Sequence, residues 1–213
     1  MKYNYDYEKV GKIEKFDKVI LMSKSPRRRD LLNFLKPDVC SIEINEREIE
    51  KKFMDLYADD SFLLRAGKTC CEIAKAKSHV FLKEKNLYIS SDTMVLMGDK
   101  IYGKPANLKE ARLMFMSYFG KSHYVISGVC LREKSYLDVF FSLAEVRFCD
   151  YYKELDPLIE DYLIEENVGD KAGSYGIQDL DPRFISYING DINTIIGLPV
   201  SELSRRISGG YKW

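Results

Sequence analysis

A short apolar run, Leu87-Tyr88-Ile89, that meets Ser90-Ser91-Asp92-Thr93 constrains this chain more than any other feature. Its brevity and β-prone residues predict a strand that delivers the Asp92 carboxylate to a sheet edge, where ligands are met in open α/β sheets. Gly98-Asp99, between Met94–Met97 and Lys100–Tyr102, signals a hairpin. That turn would bring Lys104, in Gly103-Lys104-Pro105, back close to Asp92. A carboxylate facing a lysine suits phosphate chemistry, although neither residue specifies it alone.

A second strand, Lys18–Met22, runs into Ser23-Lys24-Ser25-Pro26-Arg27-Arg28-Arg29 and then a helix expected to reach about Leu35. Ser25 is a good N-cap and Pro26 a good first helical residue. Arginines at the positive end of a helix are disfavoured by up to ~1 kcal/mol, so the triplet calls for an anion; a solvated basic face is the plainer alternative. Val39–Ile44 alternates like a strand and ends at Asn45-Glu46, a second carboxylate that the residues alone leave as an ordinary solvated loop glutamate. Asp60–Lys85 reads as one long helix with Ala66, Cys70, Ile73, Ala74 and Phe81 on a stripe. Lys77 falls inside that stripe, where it must snorkel or meet an anion, whereas Lys75 points to solvent.

Further along, Asn107 and Glu110 form a capping-box pattern closed by Gly120, and Ser122–Arg132 and Tyr136–Phe148 read as long strands. His123 reads as a hydrogen-bonded structural histidine. A helix opens at Asp156-Pro157 and runs to about Asn167, the glycine-bearing loop Lys171–Gln178 follows, and Phe184–Ile188 with Ile192–Ile196 suggest a hairpin. The alternation predicts an α/β fold with a mixed twisted sheet and flanking helices. At 213 residues and 46% apolar, residues 18–213 can form a single domain, with residues 1–17 as an N-terminal extension and the likeliest disordered part.

Equal totals of 33 basic and 33 acidic residues leave no field to hold nucleic acid, and a small anion needs only a local patch. Five cysteines without a C-x-x-C pair, and two histidines, argue against zinc and for a reducing compartment. With no signal-peptide core and no stretch near the ~20 apolar residues of a membrane span, a cytoplasmic protein without a membrane partner is expected.

The chain resembles the Maf proteins, nucleoside triphosphate pyrophosphatases also described as septum formation inhibitors. The resemblance is carried by Ser23 to Arg28 (SKSPRR), Asn45-Glu46, Ala74 to Lys77 (AKAK), Ser91-Asp92-Thr93, Gly103-Lys104-Pro105, Lys171 to Gln178 (KAGSYGIQ), Gly190-Asp191 and Gly197-Leu198-Pro199. No one station is specific; their order and spacing over nearly the whole chain are. It implies two lobes around a central cleft, a homodimer, and hydrolysis of a nucleoside triphosphate to monophosphate and pyrophosphate with Mg²⁺ or Mn²⁺. It makes Asp92 catalytic, as general base or metal holder, and Ser23, Arg28, Lys77 and Lys104 phosphate-binding. Glu46 and Asp92 become the metal carboxylates. Arg27, Thr93 and Gln178 become the specificity residues, and Thr93 with Tyr175-Gly176-Ile177-Gln178 looks like the branch acting on dTTP and UTP. The amide of Gln178 offers the donor and acceptor that a uracil or thymine edge needs. Thr194 stands where the family commonly has Asn, and Asp179 where it has Gly. A regulator of cell division that binds nucleotide with little turnover is the competing expectation.

Overall fold

Three long antiparallel strands in the middle of one sheet set the geometry of everything else. The structure, a computed structural model, describes residues 3–166 and 168–211. Among these residues the strands are β1 (Asn4–Val10), β2 (Lys18–Met22), β3 (Asp38–Cys40), β4 (Asn86–Met97), β5 (Lys100–Tyr102), β6 (Ser122–Arg132), β7 (Leu137–Phe148) and β8 (Ile185–Asn189). The helices are α1 (Pro26–Leu31), α2 (Glu46–Leu56), α3 (Phe62–Lys77), α4 (Leu108–Ser117), α5 (Asp156–Glu165), α6 (Ile192–Ile196) and α7 (Val200–Ile207). The sheet order is β1-β7-β6-β4-β2-β3, with β5 added to β4 and β8 to β7; β2 runs parallel to β3 and β4, and the other pairings are antiparallel.

One edge of β4 is covered by β6 over Tyr88–Leu96. The other edge is shared: β2 pairs Asn86–Ile89, β5 pairs Val95–Met97, and the ladder is interrupted in between. Asp92 lies in that interruption, so it occupies the middle of a continuous strand rather than its end. The expected break before Met94 is absent because β6 supports β4 without interruption.

Alternation along β4 divides its side chains between two faces. Met94 and Leu96 pack with Ala66, Cys70, Ile73 and Ala74 of α3. On the opposite face Leu87 and Ile89 join Leu21, Leu198 and Leu203, whereas Val95 joins an aromatic cluster containing Phe115, Tyr118, Phe148, Tyr162 and Phe184. The long strands thus carry two cores on that face, one under each flank of the interruption.

Several sequence expectations are corrected. The N-terminal segment is not disordered where described: β1 pairs with β7, Tyr5 stacks on Phe141 at 4.7 Å, and the Tyr7 hydroxyl bonds Tyr57 (2.6 Å) and Glu72. α1 is shorter than expected and passes into a 3-10 turn at Asn33–Leu35. The strand before Glu46 is only Asp38–Cys40, and Glu46 instead opens α2, with Asn45 accepting the Glu48 amide as N-cap. α3 stops at Lys77, where the Ser78 hydroxyl donates to the Lys75 carbonyl (2.8 Å) and closes the last turn, leaving Phe81 outside the helix and exposed. Lys75 is ion-paired to Glu8 and Glu72 rather than solvated. Ile192–Ile196 is helical, not a strand, because Asp191 caps the Asn193 amide (2.9 Å) and tertiary contacts outweigh the β-prone residues. α5 ends at Glu165, and Asn167 lies outside the described residues.

Candidate active site

Adjacent residues on a strand face opposite ways, and the site uses both faces of the interrupted edge. Asp92 faces α3. Its Oδ1 accepts from Lys77 Nζ at 2.8 Å, and its Oδ2 lies 3.8 Å from Cys70 Sγ. This approach depends on Gly128, the β6 partner of Asp92: a Cβ there would lie 2.5 Å from the Cys70 backbone and push α3 off the sheet. Burial drives the Cys70 thiol well above its ordinary range, and the Asp92 charge adds to the effect, so Cys70 is a neutral neighbour.

Lys77 is the last residue of α3, a favourable place for a cation. Its ammonium also meets Glu46 Oε1 at 3.1 Å; the Lys77 side chain is 14% exposed and that of Glu46 53%. Two carboxylates from distant segments therefore converge on one cation position. Glu50, one helical turn beyond Glu46 on α2, shares their field: burial raises its pKa first, with Asp92 and then Glu46 adding to the rise against the charge of Arg47.

The other face carries Thr93 and Arg28. Arg28 Nη2 donates to Thr93 Oγ1 (2.9 Å), Nε to the Gly197 carbonyl (2.9 Å) and Nη1 to Ser23 Oγ (3.4 Å). Thr93 Oγ1 also bonds Ser127 Oγ (2.9 Å), and Ser91 Oγ donates to Gly197 (2.9 Å). The α6–α7 junction thus lies against this face of β4, tied to it through the Ser91 hydroxyl and the Arg28 guanidinium. Burial lowers the Arg28 pKa from its ordinary value, opposed by the Asp92 charge and reinforced by Arg27. Because α1 has only six residues, the anion-attracting potential here comes from the two guanidiniums more than from the helix dipole.

A second wall is the loop Lys171–Gln178, joined to the β5 exit by a bond from the Gly173 amide to the Gly103 carbonyl (3.0 Å). Lys104 does not close on Asp92. It pairs with Asp170 across 2.7 Å, which holds the Asp170 pKa below its ordinary value, with the Arg27 charge acting in the same direction. The Arg27 charge thus reaches this second wall. Gln178 is exposed in its turn. Below the loop the Tyr175 hydroxyl pairs with His123 Nε2 at 2.7 Å, and burial lowers the His123 pKa from 6.5 to about 3, so His123 is a neutral structural residue as its position suggested.

The structure therefore gathers Asp92, Lys77 and Glu46 on one side of the edge and Ser23, Arg28 and Thr93 on the other, with the Arg27 charge reaching the wall that holds Lys104 and Gln178. Sequence reasoning missed Glu50, whose signal was its i+4 spacing from Glu46, and Ser127, which left no local signal; Gly197 stood in the Gly197-Leu198-Pro199 motif without a role assigned to its carbonyl. Among the described residues no group of three or more His, Cys, Asp or Glu side chains forms a metal cage, and no helix is long and apolar enough to cross a membrane.

A family model described as Maf-like protein matches residues 18–209. The chain is 36% identical over 187 residues to the dTTP/UTP pyrophosphatase of Thermosipho africanus (strain TCF52B), covering 87% of this chain and 90% of the relative. It is 34% identical over 198 residues to the dTTP/UTP pyrophosphatase of Pyrococcus furiosus (92% and 96% covered) and 33% identical over 190 residues to that of Bacillus cereus strain AH187 (89% and 94% covered).

Proposed function

The chain belongs to the Maf-like protein family, and from that premise and the geometry of the interrupted β4 edge we propose that it hydrolyses dTTP and UTP at the α–β anhydride, releasing nucleoside monophosphate and pyrophosphate. The observation that carries this reading is the convergence of a paired carboxylate, Asp92, with Lys77 and Glu46 at the place where Arg28 reaches Thr93.

In this reading Asp92 takes a proton from the attacking water as general base. Its Oδ1 is held by Lys77 and its Oδ2 is met by the buried Cys70 thiol, which together fix the orientation of the carboxylate before a water reaches it. Arg28 and Lys77, both fixed before substrate arrives, meet charge that develops on the phosphates, and removing one such contact costs roughly 10² to 10³ in rate. Lys104, exposed and held by a single carboxylate, can exchange Asp170 for a phosphate oxygen. Ser23 adds a hydroxyl beside Arg28. Arg27, Thr93 and Gln178 face the base.

The donor set fits a divalent cation. Glu46 and Asp92, both paired with the Lys77 ammonium, are the hard-oxygen donors that would hold Mg²⁺ or Mn²⁺ beside it, since these ions commonly bind one or two carboxylates with phosphate oxygens and waters. When bound, such an ion supplies charge neutralisation on the phosphates. A homodimer in the cytoplasm completes the proposal on family grounds.

The test is purified protein with Mg²⁺ or Mn²⁺ against UTP, dTTP, CTP and purine triphosphates, with products separated by chromatography. Monophosphate and pyrophosphate in equal amounts, greatest for UTP or dTTP, support it. Orthophosphate as first product sinks the bond assignment, and binding without turnover favours the regulator.

A further inference from the structure

Gln178 is exposed, yet the loop beneath it is built around a buried charge. Lys171 is 6% exposed, and its ammonium lies 3.3 Å from both Glu166 Oε2 and Asp179 Oδ2. The two acids come from opposite sides: Glu166 follows α5, and Asp179 follows Gln178 directly. Between them the chain makes a tight turn, with the Asp179 amide donating to the Gly176 carbonyl at 3.0 Å and the Gly176 amide donating to the Tyr162 hydroxyl at 3.0 Å. Gly176 sits directly over the ion pair. A Cβ at this position would lie 2.6 Å from Asp179 Oδ2 and 3.0 Å from Lys171 Cε.

From this geometry we infer that Lys171 and Asp179 are positioning residues for base selection: the pair of the buried ammonium with the half-buried Asp179, backed by Glu166, clamps the 176–179 turn and fixes where Gln178 meets the base. A buried ammonium with two carboxylates is expensive to desolvate and adds little stability over an apolar packing. It does fix the direction of the turn, because displacing Asp179 leaves Lys171 with a single partner and lets the Gly176 turn open. Gln178 has one neighbour on its C-terminal side, and that neighbour is the clamped residue. The inference rests on the reading of Gln178 as the base-contacting amide.

Asp179→Asn removes one charge at nearly constant shape, Lys171→Met removes the centre of the clamp, and Lys171→Arg keeps its charge. Steady-state kinetics on UTP and CTP and amide hydrogen exchange over residues 171–179 are read for each, with Gln178→Ala alongside. The expected result is a roughly 10- to 100-fold fall in the UTP-to-CTP ratio of kcat/KM in the first two variants, carried by KM for UTP with kcat within about threefold of wild type. Exchange in the turn should rise at least about tenfold in the same variants, and Lys171→Arg should restore most of both readouts.

A ratio lost in Gln178→Ala but kept in Asp179→Asn and Lys171→Met overturns the clamp and leaves base reading by Gln178 standing. A ratio kept in Gln178→Ala as well overturns both. Should Lys171→Met fail to fold, Asp179→Asn decides alone; unchanged exchange in its turn overturns the clamp even in a protein without turnover.

Discussion

The two walls of the candidate site are made of different materials. The wall at the β4 edge is a network of charges and hydroxyls gathered from positions far apart in the chain, Arg28 reaching Thr93 and Gly197, and Lys77 reaching Asp92 and Glu46. The opposite wall stands on aromatic packing: the Phe115 ring lies 5.2–5.9 Å from those of Phe119, Phe148, Tyr162 and Phe184, and Tyr118 and Tyr175 enclose His123. Buried and half-buried charges contribute little net stability, whereas fully buried rings contribute several kcal/mol each. The first wall thus carries the general base with its charged partners, and the second sets Lys104 and Gln178 on the packing that folding depends on.

Asp92→Asn should make the largest difference. A lost general base lowers kcat by about 10² to 10⁴, with nucleotide binding retained and the unfolding midpoint little changed. Full activity in this variant would remove Asp92 from the mechanism. Phe115→Ala should do the reverse, costing about 3–5 kcal/mol in urea unfolding because the ring is fully buried, while kcat per folded molecule holds. A fall in kcat with unchanged stability would erase the contrast between the walls.

His123 sharpens the comparison through pH. Its pKa is about 3 in the fold against an ordinary 6.5, so the unfolded chain takes up a proton that the folded one refuses between those values. The stability it contributes is complete above about pH 6.5 and declines as the pH falls towards 3, at up to ~1.4 kcal/mol per pH unit. His123→Gln should flatten that limb in denaturation series run at several pH values; an unchanged slope would place the acid sensitivity elsewhere. Glu50→Gln should be mildest, raising the metal concentration for half-maximal activity by roughly two- to fivefold, as expected for one partly screened charge. A loss as large as that of Asp92→Asn would make Glu50 a direct participant.

Much of the site was legible because short motifs keep their residue types in sequence. Ser25 does cap α1, Asn107 does cap α4, accepting the Glu110 amide at 3.0 Å, and Lys77, whose place in an apolar stripe requires it to snorkel or meet an anion, meets one in Asp92. What misled was local reasoning about termini and partners. The alternate tyrosines at 3, 5 and 7 have strand period, but their partners, Tyr57, Glu72 and Phe141, lie far along the chain, and the segment read as disordered. Lys104 was expected at Asp92 through the hairpin, and the hairpin formed; the Lys104 side chain went to Asp170, in a segment whose position no local pattern reveals.

Sequence by itself determined the family, the apolar periodicity of the long strands and the residue types available for phosphate chemistry, since these depend on side-chain chemistry and short spacings. Tertiary structure alone decided that β2 and β5 leave part of one β4 edge uncovered, that the Gly197 carbonyl accepts from both Ser91 and Arg28 on the face beside it, and that the turn bearing Gln178 is tied to a buried lysine. Those outcomes are long-range: each depends on which distant group, backbone or side chain, reaches a given polar partner, and that is settled only when the segments that carry them have packed together.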